Sequence, residues 1–182
     1  MDSSSLPAIN ARLCRRAAAL ALATGLAFLL ANTAIWLVPQ WTEFAARMAA
    51  NLRTEPITLT PGVRFLGLAV TSLNVAAFLW SLWTARTLFL RLAAGDVFRP
   101  RTGILLRRFG LALLVYAGLS PVTGAVVCFL VTMGNPAGQA REIGLALTDE
   151  TVVLAIVGIL LLVMGSVFAE AVRIAEENRQ II

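Results

Sequence analysis

The chain has 182 residues, of which 59% are hydrophobic. Its mean hydropathy of +0.83 is too high for a protein that must cover its own core with a polar surface in water. The formal charge of +5 comes from fifteen arginines and ten acidic residues, with no lysine or histidine. The chain thus lacks the commonest general base and any Schiff-base nucleophile, and it has no HExxH, phosphate-loop or paired-carboxylate motif. We therefore predict a membrane protein that is not an enzyme and has no catalytic residues, metal or cofactor.

The first uncharged segment covers residues 17–38 and follows a short tail, residues 1–16. A helix needs about 20 apolar residues to cross a bilayer, so this segment predicts a transmembrane helix. A secretory signal has an apolar region of about 7–15 residues, so we expect a retained anchor. In the loop that follows, residues 39–64, apolar residues recur at helical spacing and predict a short amphipathic helix at the membrane surface. It is either a lid over a substrate path or, more simply, a clasp that closes the bundle.

The second and third predicted spans are residues 65–85 and 109–133, each bounded by arginine at its start. The sequence between them, residues 86–108, predicts a helical hairpin: helix continues to Ala94, ends at Gly95, turns around Pro100 and resumes near Thr102. Six arginines in this hairpin either lie among anionic lipid headgroups or form a docking site for an acidic partner. Pro121 is expected to kink the third span.

The fourth span covers residues 151–169, after a loop of residues 134–150, and a charged helical tail of residues 170–182 ends the chain. Of the fifteen arginines, eleven fall on the side of the two tails and the hairpin, and four fall on the other side. The positive-inside rule therefore predicts that both termini and the hairpin are cytoplasmic. The fold class is all-α, a bundle of four transmembrane helices with a short interfacial helix in the first outer loop.

Small or weakly polar residues recur every seven positions in each span and predict where the helices touch, since such residues allow close approach in lipid. These positions are Ala18, Gly25 and Asn32; Gly67, Asn74 and Ser81; Gly103, Gly110, Ala117 and Gly124; and Thr151, Gly158 and Gly165. Asn32 and Asn74 are candidate intramembrane polar contacts. They serve either as hydrogen-bonded links between helices or as ligands in a polar path, and no charged residue lies inside any span to support ion or proton coupling.

Two motifs resemble a known family. Residues 95–101, Gly-Asp-Val-Phe-Arg-Pro-Arg, are similar to the central loop of the domain of unknown function 2975 family, and residues 169–178, Ala-Glu-Ala-Val-Arg-Ile-Ala-Glu-Glu-Asn, are similar to its closing pattern. The resemblance covers essentially the whole chain. It implies a small four-span protein of the bacterial inner membrane with no established activity, in some cases encoded beside small helix-turn-helix regulators.

If the motifs mark a shared surface, it lies on the predicted cytoplasmic side. The candidate interaction face then comprises Gly95, Asp96, Phe98, Arg99, Arg101, Arg108, Glu170, Glu176, Glu177 and Asn178. The leading hypothesis is a non-enzymatic module whose cytoplasmic face binds a protein partner, such as a helix-turn-helix regulator, or senses the state of the membrane. The alternative is a small permease or pore that acts as a homo-oligomer. Direct binding of nucleic acid is not expected, because the arginines lie between apolar blocks rather than along one exposed face.

Overall fold

The computed structural model describes residues 8–49, 57–95, 100–135 and 147–180, and within these ranges every regular element is an α-helix. Four of the helices are long and apolar enough to cross a membrane, and a short helix follows the first of them. The predicted fold class is confirmed. The helices are α1 (Ala8–Leu37), α2 (Pro39–Ala49), α3 (Pro61–Ala93), α4 (Pro100–Thr132) and α5 (Asp149–Gln180).

The helix α3 begins four residues before the predicted second span. Thr60 caps it, because its Oγ1 accepts a hydrogen bond from the backbone amide of Val63 at 3.3 Å, and Pro61 occupies the first turn, where its missing N–H costs nothing. The sequence predicts an extended or turned segment over residues 54–62. Residues 57–60 are indeed non-helical, while Pro61 and Gly62 belong to α3.

The predicted continuation of helix beyond the second span is present. The helix α3 runs past Arg86 to Ala93, and Gly95 follows with a φ of 84°, a left-handed conformation that glycine adopts without a Cβ clash. The helix α4 begins at Pro100, two residues before the predicted restart, and is continuous through Pro121. Residues 96–99 lie outside the described ranges.

Each long helix packs against the next one along the chain: α1 on α3, α3 on α4, and α4 on α5. Within the described residues no other pair of long helices packs extensively, so α1 and α5 are the two outer members of the row. The short helix α2 packs on α1 and α4. Neighbouring long helices are antiparallel, which gives the protein two ends. We call the end that holds α2 the α2 end. The opposite end holds the starts of α1 and α4 and the last residues of α3 and α5.

All the predicted contact positions are buried or half-buried, but a Cβ on Gly124 would meet no atom within 4 Å, so that position is not a close helix contact. The backbones of α4 and α5 lie in direct contact. A methyl group on Gly110 would lie 2.6 Å from the carbonyl oxygen of Gly158, and one on Gly103 would lie 2.9 Å from that of Gly165. These two backbones touch because neither helix has a side chain there. The seven-residue pattern therefore identifies this interface correctly.

Aromatic side chains join α1 to α3, and α3 to α4. The indole of Trp36 lies directly over Gly67, where a Cβ would overlap the ring, and its Nε1 donates a hydrogen bond to Thr71 Oγ1 at 2.9 Å. Farther along α3, the ring of Phe78 contacts Phe28 of α1 and Tyr116 of α4, with centroids 4.7 and 5.2 Å apart.

The start of the short helix α2 is tied to the end of α1 by a buried hydroxyl. Thr42 Oγ1 donates to the carbonyl oxygen of Ile35 at 2.7 Å, which satisfies a carbonyl at the end of α1. Thr42 and Ala46 face the protein and are buried, whereas Trp41 and Phe44 are exposed. Its large apolar side chains thus point away from the other helices, the orientation expected of an interfacial helix.

Candidate functional site

Two regions of the molecule contain the predicted functional residues. The first is the end of the row opposite α2, which we call the arginine end because nine of the eleven arginines whose side chains are described lie there, while the other two lie at the α2 end. They are Arg12, Arg15 and Arg16 of α1, Arg86 and Arg91 of α3, Arg101, Arg107 and Arg108 of α4, and Arg173 of α5.

Positive charge at the arginine end is only slightly compensated within the described residues. Arg173 pairs with Glu170 at 2.5 Å and with Glu177 at 3.3 Å, and all three residues lie on α5 and are exposed. The guanidinium of Arg86 lies 5.5 Å from the centre of the Trp83 ring. None of the other eight arginines named at this end forms an ion pair with a described carboxylate.

The structure brings part of the candidate interaction face together. Because Gly103 packs on Gly165 and Ala169, the start of α4 and the last third of α5 run side by side. Arg101, Arg108, Glu170 and Glu177 are all exposed at this end, and Gly95 ends the neighbouring α3. Asp96, Phe98 and Arg99 lie outside the described residues. Glu176 and Asn178 belong to α5, but their side chains are not described.

A crevice between α4 and α5 joins two of these cations to apolar surface. It measures about 240 Å³ and is lined by Ile104, Arg107, Arg108, Leu111 and Leu162. Arginine side chains beside apolar ones are able to contact both the phosphate and the chains of an anionic lipid.

The second region is a cavity of about 310 Å³ in the half of the molecule nearer α2, which we call the polar cavity. Seven of its lining side chains are polar and uncharged: Asn32, Thr71, Asn74, Ser120, Thr123, Thr148 and Thr151. The remaining lining residues are apolar or glycine, and they include Trp36 of α1, Ala45 and Ala46 of α2, and Pro121 of α4. All five helices therefore contribute to the walls, and Asn32 and Asn74 share one cavity.

Asn74 sits deep in this cavity with unused hydrogen-bonding capacity. It lies thirteen residues into α3, which at about 1.5 Å per residue is about 20 Å from the start of that helix. Its Oδ1 is buried and has no hydrogen-bond partner within the described part of the chain. If Asn74 only linked helices, this oxygen would accept a hydrogen bond from another helix. No described residue donates one.

The position of α2 is compatible with both predicted roles, a lid over a substrate path and a clasp that closes the bundle. Ala45 and Ala46 form part of the cavity wall, so α2 covers the cavity as a lid would. It also contacts α1 and α4, which is what a clasp would do. The hydrogen bond from Thr42 to Ile35 ties the start of α2 to α1 in either case.

Sequence reasoning missed most of the hydroxyl residues of the polar cavity. Thr71 lies one helical turn before Asn74, a spacing that marks one face of α3 and could have revealed it. Ser120 and Thr123 have the same spacing, as do Thr148 and Thr151, but this spacing marks only a shared face. Their position opposite the asparagines depends on how α4 and α5 pack.

Four long apolar helices, with polar side chains turned inward and arginines gathered at one end, define a multi-pass α-helical membrane protein. A family model described as "Protein of unknown function (DUF2975)" matches residues 47–182, about three quarters of the chain, and the chain belongs to that family. This confirms the resemblance of the two motifs, although the matched region begins within α2 and leaves α1 outside. No curated protein and no solved structure matches the chain.

Proposed function

We propose that this protein is a non-enzymatic module of the bacterial inner membrane that binds a cytoplasmic protein partner. One observation carries the proposal: the arginine end presents eight arginines without described ion-pair partners beside an exposed, charged helix end on α5. Charge of one sign that is not neutralised internally attracts a partner of opposite sign, and it speeds the encounter.

The orientation follows from the same charges. The positive-inside rule places the arginine end, and with it both termini, in the cytoplasm. Arginines near the apolar spans, such as Arg107 and Arg108, are proposed to contact anionic headgroups, each contributing about 1 kcal/mol of attraction. Arg101, Glu170 and Glu177 lie nearer the helix ends and are proposed to face the partner, for which a helix-turn-helix regulator is our candidate.

Reporter fusions test the orientation. A cytoplasm-active reporter inserted after residue 97 or fused after residue 182 is expected to be active, while a reporter active only outside the cytoplasm is expected to be silent there. The opposite result at either position would contradict the orientation and the partner surface together.

Recovery of a partner from nanodisc-embedded protein tests the binding function. A protein recovered in stoichiometric amounts is then purified and titrated against Arg101→Glu and Glu177→Arg. Each reversal is expected to weaken binding about tenfold or more, which corresponds to about 1.4 kcal/mol. Glu43→Arg is the matched control, since Glu43 is also an exposed glutamate paired with an arginine four positions away, but it lies at the α2 end. Loss of binding in the control, or retention in both test variants, would refute the proposal.

A second candidate function is a small permease or pore. The observation that favours it is the shared position of Asn32 and Asn74 in one polar cavity among apolar helices. Glycerol entry into proteoliposomes, followed by light scattering, is then expected to exceed entry into empty liposomes and to be lost in Asn74→Leu. Ser166→Ala is a control, because Ser166 is exposed on α5 and lies outside the cavity lining. Entry at the rate of empty liposomes would exclude glycerol permeation.

A further inference from the structure

Two hydroxyl groups of the polar cavity use their hydrogens on their own helices. Thr71 Oγ1 donates to the carbonyl oxygen of Gly67 at 2.9 Å, and Thr123 Oγ1 donates to that of Leu119 at 2.6 Å. A hydroxyl has one hydrogen and two lone pairs, so each of these oxygens can offer only acceptor capacity to the cavity. Thr71 Oγ1 uses part of that capacity on Trp36 Nε1.

Further acceptors surround these hydroxyls. The buried Oδ1 of Asn74 has no partner within the described residues. Pro121 has no N–H, so the carbonyl of Ala117, one turn earlier in α4, loses the donor that an α-helix normally supplies. The Thr148 and Thr151 hydroxyls share one hydrogen bond of 2.9 Å, so one hydrogen of the pair stays available together with acceptor lone pairs. The side-chain amides of Asn32 and Asn74 add N–H donors to the cavity wall. The cavity therefore offers both acceptors and donors, and a ligand that fits it needs a group, such as a hydroxyl, that hydrogen-bonds in both directions.

Charge and shape restrict the ligand further. None of the lining residues is charged, and burying an ion without a counter-charge is expensive, so a neutral ligand is favoured. One part of the wall is apolar, formed by Ile35, Trp36 and Val127. A volume of about 310 Å³ lies at the lower end of the range of small-molecule sites.

We propose that the polar cavity is a binding site for a small uncharged molecule that has an apolar part and a hydroxyl or similar group that both donates and accepts hydrogen bonds. The polar side chains of Asn74, Asn32 and Ser120 bind this group, while the wall formed by Ile35, Trp36 and Val127 covers the apolar part. The inference goes beyond partner binding at the arginine end. It concerns binding rather than transport, so it can hold or fail separately from the permease candidate.

Benzyl alcohol and toluene provide matched probes, because they share the aromatic ring and only benzyl alcohol carries a donor. The side-chain amide signals of 15N-asparagine-labelled protein are followed in detergent micelles, with the two probes at equal concentration in the micelle phase. Benzyl alcohol is expected to shift the Asn74 and Asn32 signals saturably and to bind about tenfold more tightly than toluene, since one or two net hydrogen bonds account for that ratio.

Variants locate the site. Asn74→Leu is expected to remove the preference for benzyl alcohol, measured on the Asn32 signal, while Ser166→Ala leaves it unchanged. Ser120→Ala, a milder change in the cavity wall, provides a second test should Asn74→Leu fail to fold as judged by size-exclusion chromatography. It is expected to weaken benzyl alcohol binding while toluene binding stays the same. Equal affinity for the two probes, shifts that do not saturate, or an undiminished preference in a folded cavity variant would overturn the proposal.

Discussion

Replacement of Gly110 by alanine tests the packing on which the whole helix row depends. Its methyl group would lie 2.6 Å from the Gly158 carbonyl oxygen and 2.8 Å from the backbone nitrogen of Leu162. Ordinary van der Waals contact begins at 3.4 Å, so α4 and α5 must separate locally by up to 0.8 Å, the difference between 3.4 and 2.6 Å. A gap of about 0.5–1 Å removes a quarter to a half of each atom pair's attraction. Backbone atoms form this contact, so rotation of a side chain cannot relieve the overlap.

We expect Gly110→Ala to lower the free energy of unfolding by about 1–3 kcal/mol, the range for overpacked interfaces. The matched control is Gly118→Ala, two helical turns farther along α4, where a methyl group meets no atom within 4 Å. Alanine there gains up to about 1 kcal/mol from its better helix propensity. The free energies are compared by steric trapping or by reversible unfolding in mixed micelles. If Gly110→Ala is as stable as Gly118→Ala, the close backbone contact between α4 and α5 is wrong.

Three further substitutions test local features, the first two by the free energy of unfolding and the third by circular dichroism. Gly95→Ala places a side chain at a φ of 84° with no atom within 4 Å, so the expected loss of about 1–2 kcal/mol is purely conformational; an unchanged stability would mean that the residue is not left-handed. Thr42→Val removes the donor to the Ile35 carbonyl at the corner of α1 and α2, and we expect a loss of about 1–3 kcal/mol, whereas a neutral effect would contradict that hydrogen bond. Gly67→Ala displaces the Trp36 indole, and we expect an altered near-ultraviolet circular dichroism spectrum; an unaltered spectrum would place the indole elsewhere.

The four spans could be predicted from sequence because lipid leaves few alternatives. A segment of about 20 uncharged apolar residues has to satisfy every backbone group internally, and within one segment only a helix does so. The start of α3 was less predictable than its end, because Arg64 limits the apolar segment without beginning the helix. The helix α3 starts at Pro61, after its cap Thr60, whereas its continuation past Arg86 toward Gly95 follows the prediction.

The contact faces were also predictable, because glycine at seven-residue spacing allows backbone approach wherever it occurs. Which helix each face packs against could not be predicted. The glycines Gly103 and Gly110 could pack on α1 as well as on α5, and only the folded structure shows that they pack on α5. The polar cavity depends on the same choice. Asn32 and Asn74 can be recognised singly, but Thr123 and Thr148 join them only because α4 and α5 close that part of the wall.

A single helix links the two candidate regions. The helix α5 begins beside the polar cavity, where Thr151 is buried in its first turn, and it reaches the arginine end, where Arg173 pairs with Glu177. Its 32 residues extend about 48 Å at 1.5 Å per residue. Between these regions, backbone contacts at Gly158 and Gly165 hold it to α4. A larger side chain at either glycine would separate α5 from α4, two helices that both regions share, whereas Asn74→Leu changes one side chain on α3 and Arg101→Glu changes one exposed side chain on α4. Asn74→Leu and Arg101→Glu therefore test ligand binding and partner binding separately, whereas substitutions at the α4–α5 interface would affect both.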